Sequence, residues 1–461
     1  MFKKRSQAFK HRRGFRVAMT SAALLSTVGI LAAANGSAAA RSKPEASSNK
    51  RIVITFWSAE SGAIGQDLDT LVSQFNRSQK KYEVQVVYKG TYPEVLADTI
   101  AAFKAHRAPD ITMIFDVGTA TMMDSTGVYV PVYKLMAENH IPFATSDFIG
   151  AAGTYYANAN GQLDSLPFAS STPVLYYNKR MFAKIHAQPP KTWAQVGIVG
   201  KELLAHGVKN GFTTGWPDWT QFEQYAVWNN YKYATDNNGL DGIKGVKLLI
   251  NTAPFVNHIN QLETWEKDGV FIYDGRESTP DTLFIGGQVG MYIDSSATYA
   301  SIKAGAKFQF GEAPLPYQQG APGAPQNTVV GGNSLWVMAG APKDTYAGDA
   351  QFLHFLMSGK SQGYWASQTG YVPVTTAGVK TLDQSGFYLS HPDALVAVHE
   401  LTNKPAKPWT RAIRLGNLSE IRDIENAAIT AVFSGKESAK QALDTAEQQG
   451  NAVLAQFAAQ Y

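Results

Sequence analysis

"RIVITFWSAESGAIGQDLDTLVSQFNRSQKKYEVQVVYKGTYPEVLADTIAAFKAHRAPDITMIF", residues 51–115, decides the fold. "RIVITFW" is an apolar run of strand length. "GQDLDTLVSQFNRS" then spaces Leu68, Leu71, Val72 and Phe75 along one face of a helix. "YEVQVVYKG" alternates as a strand, and "YPEVLADTIAAFKAH" sets Val95, Leu96, Thr99, Ile100 and Phe103 on a second helix face. "PDITMIF" is a strand again. Strand, helix, strand, helix, strand predicts a parallel sheet with helices on both faces. Ligands of such sheets bind beyond the carboxyl ends of the strands, which makes "VYKGTY" and "MIFDVGT" candidate site segments.

The 461-residue chain is long enough for more than one domain with a real core. A second α/β block begins near "LPFASSTPVLYYNKRMF" and runs to about 309. "GGNSLWVMAGAP" followed by "YAGDAQFLHFLMS" is again a strand and a helix. The tail, "IRDIENAAITAVFSG" and "SAKQALDTAEQQGNAVLAQFAAQY", is helical with Ala-rich amphipathic periods.

In front of this lies a basic, then apolar, segment ending "SAAA", which reads as an export signal (1–40) cleaved after Ala38-x-Ala40. "HRRGFRV" resembles a twin-arginine export motif, although adjacent arginines are common in basic leaders. Seven of the 41 Lys and Arg fall in residues 1–40, which hold no acid. Without them 34 basic residues face 37 acidic ones, a net of −3 rather than the formal +4. Nothing in that balance suggests binding to nucleic acid or anionic membranes. The chain has no cysteine. Disulfides, thiol catalysis, thiolate metal sites and a lipid-anchored N-terminus are therefore excluded, and an exported protein without an anchor points to a periplasm.

"GWPDWTQFEQYAVW", residues 215–228, carries an aromatic at every third position: Trp216, Trp219, Phe222, Tyr225 and Trp228. Each step slips about 60° round a helix, so one core-facing stripe holds only some of them. "TYPEV" and "GWPDW" share a second feature, an aromatic just before a proline suited to a first helical position. Tyr92 and Trp216 thus stand at positive helix ends, where an anion can be held. Trp216 and Trp219 would form a wall for the C–H face of a polyol or sugar. Among the arginines of "PWTRAIRLGNLSEIRDIE", Arg411, Arg414 and Arg422 could each grip phosphate or carboxylate, and spacing does not choose among them. There is no H-E-x-x-H and no G-x-S-x-G; in "HFLMSGKS", His354 stands where a phosphate loop needs glycine. A spatial carboxylate pair that includes Asp294 leaves a secreted glycoside hydrolase open.

"YKGTYPEVLADTIAAF", "DVGTATMM", "SSTPVLYYNK", "PPKTW", "GWPDW", "VVGGNS", "TGYVP" and "RLGNLSEIR" together resemble the solute-binding proteins of bacterial ABC importers, extracellular solute-binding protein family 1. "DVGTATMM", "GWxxW" and "RLGN" are specific to its glycerol-phosphate branch. The resemblance spans the chain from about Ile54 to the last helix. It implies an α/β, two-lobed periplasmic-binding-protein fold, each lobe a sheet flanked by helices, joined by a hinge of crossing segments. Residues 41–170 with 310–365 would form one lobe, and 171–309 with 366–461 the other. It implies a cofactor-free, metal-free, monomeric receptor with no enzymatic activity, which captures glycerol-3-phosphate or a glycerophosphodiester and delivers it to membrane permease subunits. An oligosaccharide receptor is the alternative.

The residues that match the family's binding motifs are Tyr92, Asp116, Ser171, Trp216, Trp219, Ser295, Gly332, Tyr371 and Arg422. In that set Arg422 is the one full positive charge and is assigned the phosphate. Tyr92, Ser295, Tyr371 and the Gly332 N–H would donate to phosphate or hydroxyl oxygens, and Asp116 would accept from glycerol hydroxyls. Two positions depart from the family. Asp116 stands where it usually has glutamate, and Asp294 where it has a small neutral residue. An inward Asp294 would favour a neutral or zwitterionic glycerophosphodiester over an anionic phosphate.

Overall fold

The computed structural model describes residues 50–460; the export signal and its cleavage position lie outside the described residues. Strands β1 (Ile52–Ser58), β2 (Tyr82–Tyr88) and β3 (Ile111–Phe115) form where the apolar runs place them, with helices Gly62–Ser78 and Tyr92–Lys104 between. β1 lies centrally, parallel to β2 on one side and to β3 on the other. Helix Gly62–Ser78 buries Leu68, Leu71, Val72 and Phe75, the face the periodicity marks. β4 (Tyr129–Val130) and β5 (Leu166–Ser171) belong to the same sheet.

The second sheet comprises β6 (Pro173–Asn178), β7 (Asn210–Thr214), β8 (Phe271–Ile272), β9 (Val289–Ser295) and β10 (Phe310–Ala313). Its order is β10-β6-β9-β7-β8; β6 is antiparallel to both neighbours, whereas β7 is parallel to β8 and β9. The chain then returns to the first sheet as β11 (Gly331–Met338), antiparallel to β3, β4 and β5. Both sheets are therefore mixed, where the opening stretch by itself predicts a parallel one. The cause is the return path. β3 ends at the cleft between the sheets and β11 begins there, so β11 must run the other way.

The expected lobe boundaries also move. β10 pairs with β6, and Phe310 packs on Tyr176 with ring centroids 6.1 Å apart, so the return falls between Ala313 and Gly331 rather than at 310. Helix Gly359–Thr369 packs on the first lobe beyond residue 365. Its fully buried Trp365 stacks on Phe168 of β5 at 4.8 Å, and Tyr364 donates to Asp67 at 2.7 Å. Helices Leu418–Phe433 and Ala439–Ala458 pack on each other and on helix Ala253–Lys267 of the second lobe, with the Leu248 N–H donating to Asn451 at 2.8 Å.

Gly332 sits at a register shift in the β5–β11 ladder with φ +90°, and a Cβ there would lie 2.0 Å from the Ala169 carbonyl oxygen. Only glycine accepts both demands, a left-handed backbone and a neighbouring carbonyl at contact. Gly332→Ala is expected to lower unfolding stability by about 1–3 kcal/mol. An unchanged urea midpoint and slope would show that the bulge is not constrained.

Candidate ligand-binding site

The carboxyl ends of β1, β3, β5, β7 and β9 and the amino end of β11 converge on one cavity of about 450 Å³. It follows the rule for open α/β sheets and is of ligand size. All nine residues singled out in the sequence line it: Tyr92, Asp116, Ser171, Trp216, Trp219, Ser295, Gly332, Tyr371 and Arg422.

Three polar groups organise its walls. In the first, Arg422 donates from Nε to Glu223 at 2.7 Å and from Nη2 to Glu223 at 3.0 Å and to Asp116 at 2.9 Å. Arg422 is 6% exposed and Asp116 5%. Asp218 adds to the field of this guanidinium, while its oxygens accept from the Trp219 N–H at 2.8 Å and from Asn426 at 3.1 Å. Burial pushes Glu223 up to about 7 against the pull of Arg422, and raises Asp116 and Asp218 likewise. The surrounding carboxylates keep Arg422 charged, its pKa well above its ordinary value despite burial.

In the second group Glu60, just beyond β1, accepts from the hydroxyls of Tyr92 at 3.0 Å and Tyr371 at 3.2 Å and from the Asn333 amide at 3.0 Å. The tyrosines are braced from behind: Tyr92 stacks on Phe115 at 5.6 Å, and Tyr371 on Trp365 at 5.6 Å. Burial raises the pKa of Glu60 against these three hydrogen bonds.

The third group is a chain of acids. The Tyr292 hydroxyl lies 2.5 Å from Asp281 and in close contact with Asp294, and Ser301 donates to Asp281 at 2.9 Å. Asp294, fully buried, is pushed up to about 7 by burial and by Asp281. Asp281 lines the cavity, whereas Asp294 lies behind the wall. The aromatic wall completes the site: Trp216 donates from Nε1 to Ser278 at 3.0 Å, and Trp219 closes over Gly331, where a Cβ would meet its ring at 2.5 Å.

The family model for bacterial extracellular solute-binding proteins matches residues 70–385. The chain is 41% identical over 408 residues to the sn-glycerol-3-phosphate-binding periplasmic protein UgpB of Salmonella typhimurium, covering 88% of this chain and 93% of that one. The chain belongs to the bacterial extracellular solute-binding proteins. Among solved structures of this family's fold, UgpB from Mycobacterium tuberculosis in complex with glycerophosphocholine superposes with a TM-score of 0.73 at 21% identity. It covers 87% of this chain and 98% of that one. The cyclic alpha-maltosyl-1,6-maltose binding protein from Arthrobacter globiformis gives 0.70 at 22% identity, covering 88% and 100%.

Within this solute-binding protein several of the expected ligand-binding groups already have protein partners. Arg422 is not a free cation: its Nε and Nη2 are committed to Glu223 and Asp116. Asp116 accepts from Arg422, and Tyr92 and Tyr371 donate to Glu60. The two helix ends expected to hold an anion are capped by their own acids. Glu94 accepts from the Thr91 N–H at 2.6 Å, and Asp218 from the Trp219 N–H. Arg414 spends its Nη2 on the carbonyls of Tyr155 at 2.8 Å and Ala157 at 2.7 Å, away from the cavity. Ser295 faces the cavity and its strand neighbour Asp294 does not, as strand alternation requires.

Glu60, Asp281, Glu223 and Asn333 were not anticipated from the sequence. Glu60 carried a usable signal, since it follows β1 just as Asp116 follows β3. Glu223 sits in the five-residue π-turn Trp219–Glu223, a local widening that apolar periodicity does not reveal.

Arg422→Ala leaves buried carboxylates uncompensated and should cost about 3–5 kcal/mol of unfolding stability at pH 8. The cost should be smaller at pH 6, where Glu223 takes a proton. Urea unfolding at both pH values checks this; an equal cost at both would discard the charge explanation. In the wild type, Glu223 and Asp294 bind protons more tightly folded than unfolded, so their contribution is present at low pH and lost as pH rises through about 7. Buried His258 is pushed down to about 3 and opposes them only below its unfolded value of 6.5. Stability should therefore rise as pH is lowered from 8.5 to 6.5; a fall over that window would contradict the assignment.

Proposed function

We propose that this protein is an exported, non-enzymatic receptor that captures glycerol-3-phosphate or a glycerophosphodiester between its lobes and hands it to the permease of an ABC importer. In this reading the leader is removed near Ala40, and the mature protein works in the periplasm as a monomer without lipid anchor or cofactor. The observation that carries it is the convergence of nine motif residues from across the chain on one cavity. The relationship to the UgpB protein, 41% identity across nearly the full length of both chains, supports the glycerophosphoryl class. Trp216 and Trp219 would cover the glycerol carbons. Ser171, Ser295 and the Gly332 N–H would bond phosphate and hydroxyl oxygens, with Arg422, Tyr92 and Tyr371 exchanging carboxylate partners for ligand oxygens as the lobes close.

The charge of the cavity favours the diester within that class. Glu60, Asp116 and Asp281 line it, Glu223 and Asp218 stand behind, and Arg422 is its one cation. A phosphate monoester near neutral pH brings close to two negative charges into this field. A diester of a cationic alcohol brings none net, and its ammonium can sit over the tryptophan face near Asp281.

Titration calorimetry on the mature protein is expected to show binding of both glycerophosphocholine and glycerol-3-phosphate, the former roughly tenfold tighter, about 1.4 kcal/mol. Maltose should give no heat. Maltose binding without either phosphate compound would replace this reading with an oligosaccharide receptor, and turnover of a glycoside would remove the receptor class. A preference for glycerol-3-phosphate would refute the charge argument alone.

A further inference from the structure

A second cavity, of about 620 Å³, lies along β10, the edge strand of the second sheet, and shares only Tyr371 with the cleft. Its walls are aromatic: Tyr299, Phe308, Phe310, Phe387 and Tyr388. Tyr299 meets Phe310 edge-on at 5.6 Å, and Phe387 meets Tyr388 at 5.7 Å. A hydrophobic hollow of this kind would ordinarily be closed by its own side chains. Here it contains a carboxylate instead.

Glu312 of β10 projects among these rings, and its carboxylate makes no hydrogen bond and no ion pair. The nearest cation, Lys179, is engaged elsewhere, 3.0 Å from Asp393. Three titratable groups thus face the cavity, Glu312, Asp393 and Lys179, and they sum to one negative charge once Glu312 is ionised. Burial and Asp393 push Glu312 up to about 8 against the pull of Lys179. A second polar group is also left without a partner. Tyr388 is 7% exposed and its hydroxyl has no hydrogen bond. A carboxylate ringed by aromatic faces and left without a protein partner calls for an occupant that pairs it.

We propose that this cavity is a second ligand site, for a small organic cation of the methylated-ammonium class. Aromatic faces bind such cations through their quadrupoles. The carboxylate of Glu312, once ionised, supplies the countercharge. The site is separate from the cleft and independent of what the cleft binds.

Choline is the probe, with 3,3-dimethyl-1-butanol as its uncharged isostere, titrated calorimetrically into the mature protein. Wild type should bind choline at least tenfold more tightly than the isostere. Glu312→Gln should weaken choline binding at least tenfold while leaving cleft ligands unaffected. Lys179→Met removes the competing ammonium and should tighten choline binding several-fold, an effect that misfolding does not imitate. Trp216→Ala, on the cleft wall, should leave choline binding in place. The proposal is overturned if wild type gives no choline binding, if the isostere binds equally, or if Glu312→Gln binds choline as wild type does. Loss of choline binding in Trp216→Ala with retention in Glu312→Gln would place the choline in the cleft and overturn it as well.

Discussion

One guanidinium ties the cleft together. Arg422, from a helix near the end of the chain, is bonded to Asp116 beyond β3 of the first sheet and to Glu223 beyond β7 of the second. Sequence separations of 306 and 199 residues meet at that single group. A buried charge of this kind is tolerated only while its partners are in place, because desolvation exceeds any gain from a partial set. The position of the C-terminal helix, the end of β3 and the π-turn after β7 are therefore fixed against one another. The aromatic wall inherits its placement from the same contact, since Trp219 opens the turn that Glu223 closes.

The cleft is also a site with more acid than it can ionise. Glu60, Asp116, Asp218, Glu223, Asp281 and Asp294 lie in or behind its walls, and burial raises the pKa of each. Two devices hold the excess in check. Hydrogen-bond donors surround Glu60, and the Tyr292 hydroxyl bridges Asp281 and Asp294.

Much of this was legible in the amino-acid order. The helix face Leu68, Leu71, Val72 and Phe75 and the first three strands follow from periodicity, because a half-buried element must repeat with its own pitch. All nine motif positions reach one cavity because strand ends and turns carry them, and such segments keep a residue-level signature. Strand direction in β11 and the membership of β10 were not legible. They depend on where the chain comes back, which local pattern does not encode. Glu60 and Asp281 escaped for a related reason: a single acid in a polar loop looks the same whether solvent or a tyrosine pair awaits it. The carboxylate partners of Arg422, Tyr92 and Tyr371 were not legible, because acceptors arrive from other parts of the fold.

The chain of Asp281, Tyr292 and Asp294 has one more consequence. Burial raises the pKa of both its carboxyls and holds Asp294 at about 7, while the Tyr292 hydroxyl keeps its proton. The inner wall of the cleft thereby behaves as a small internal buffer. A change of pH near 7 therefore alters the charge that stands behind the cleft wall.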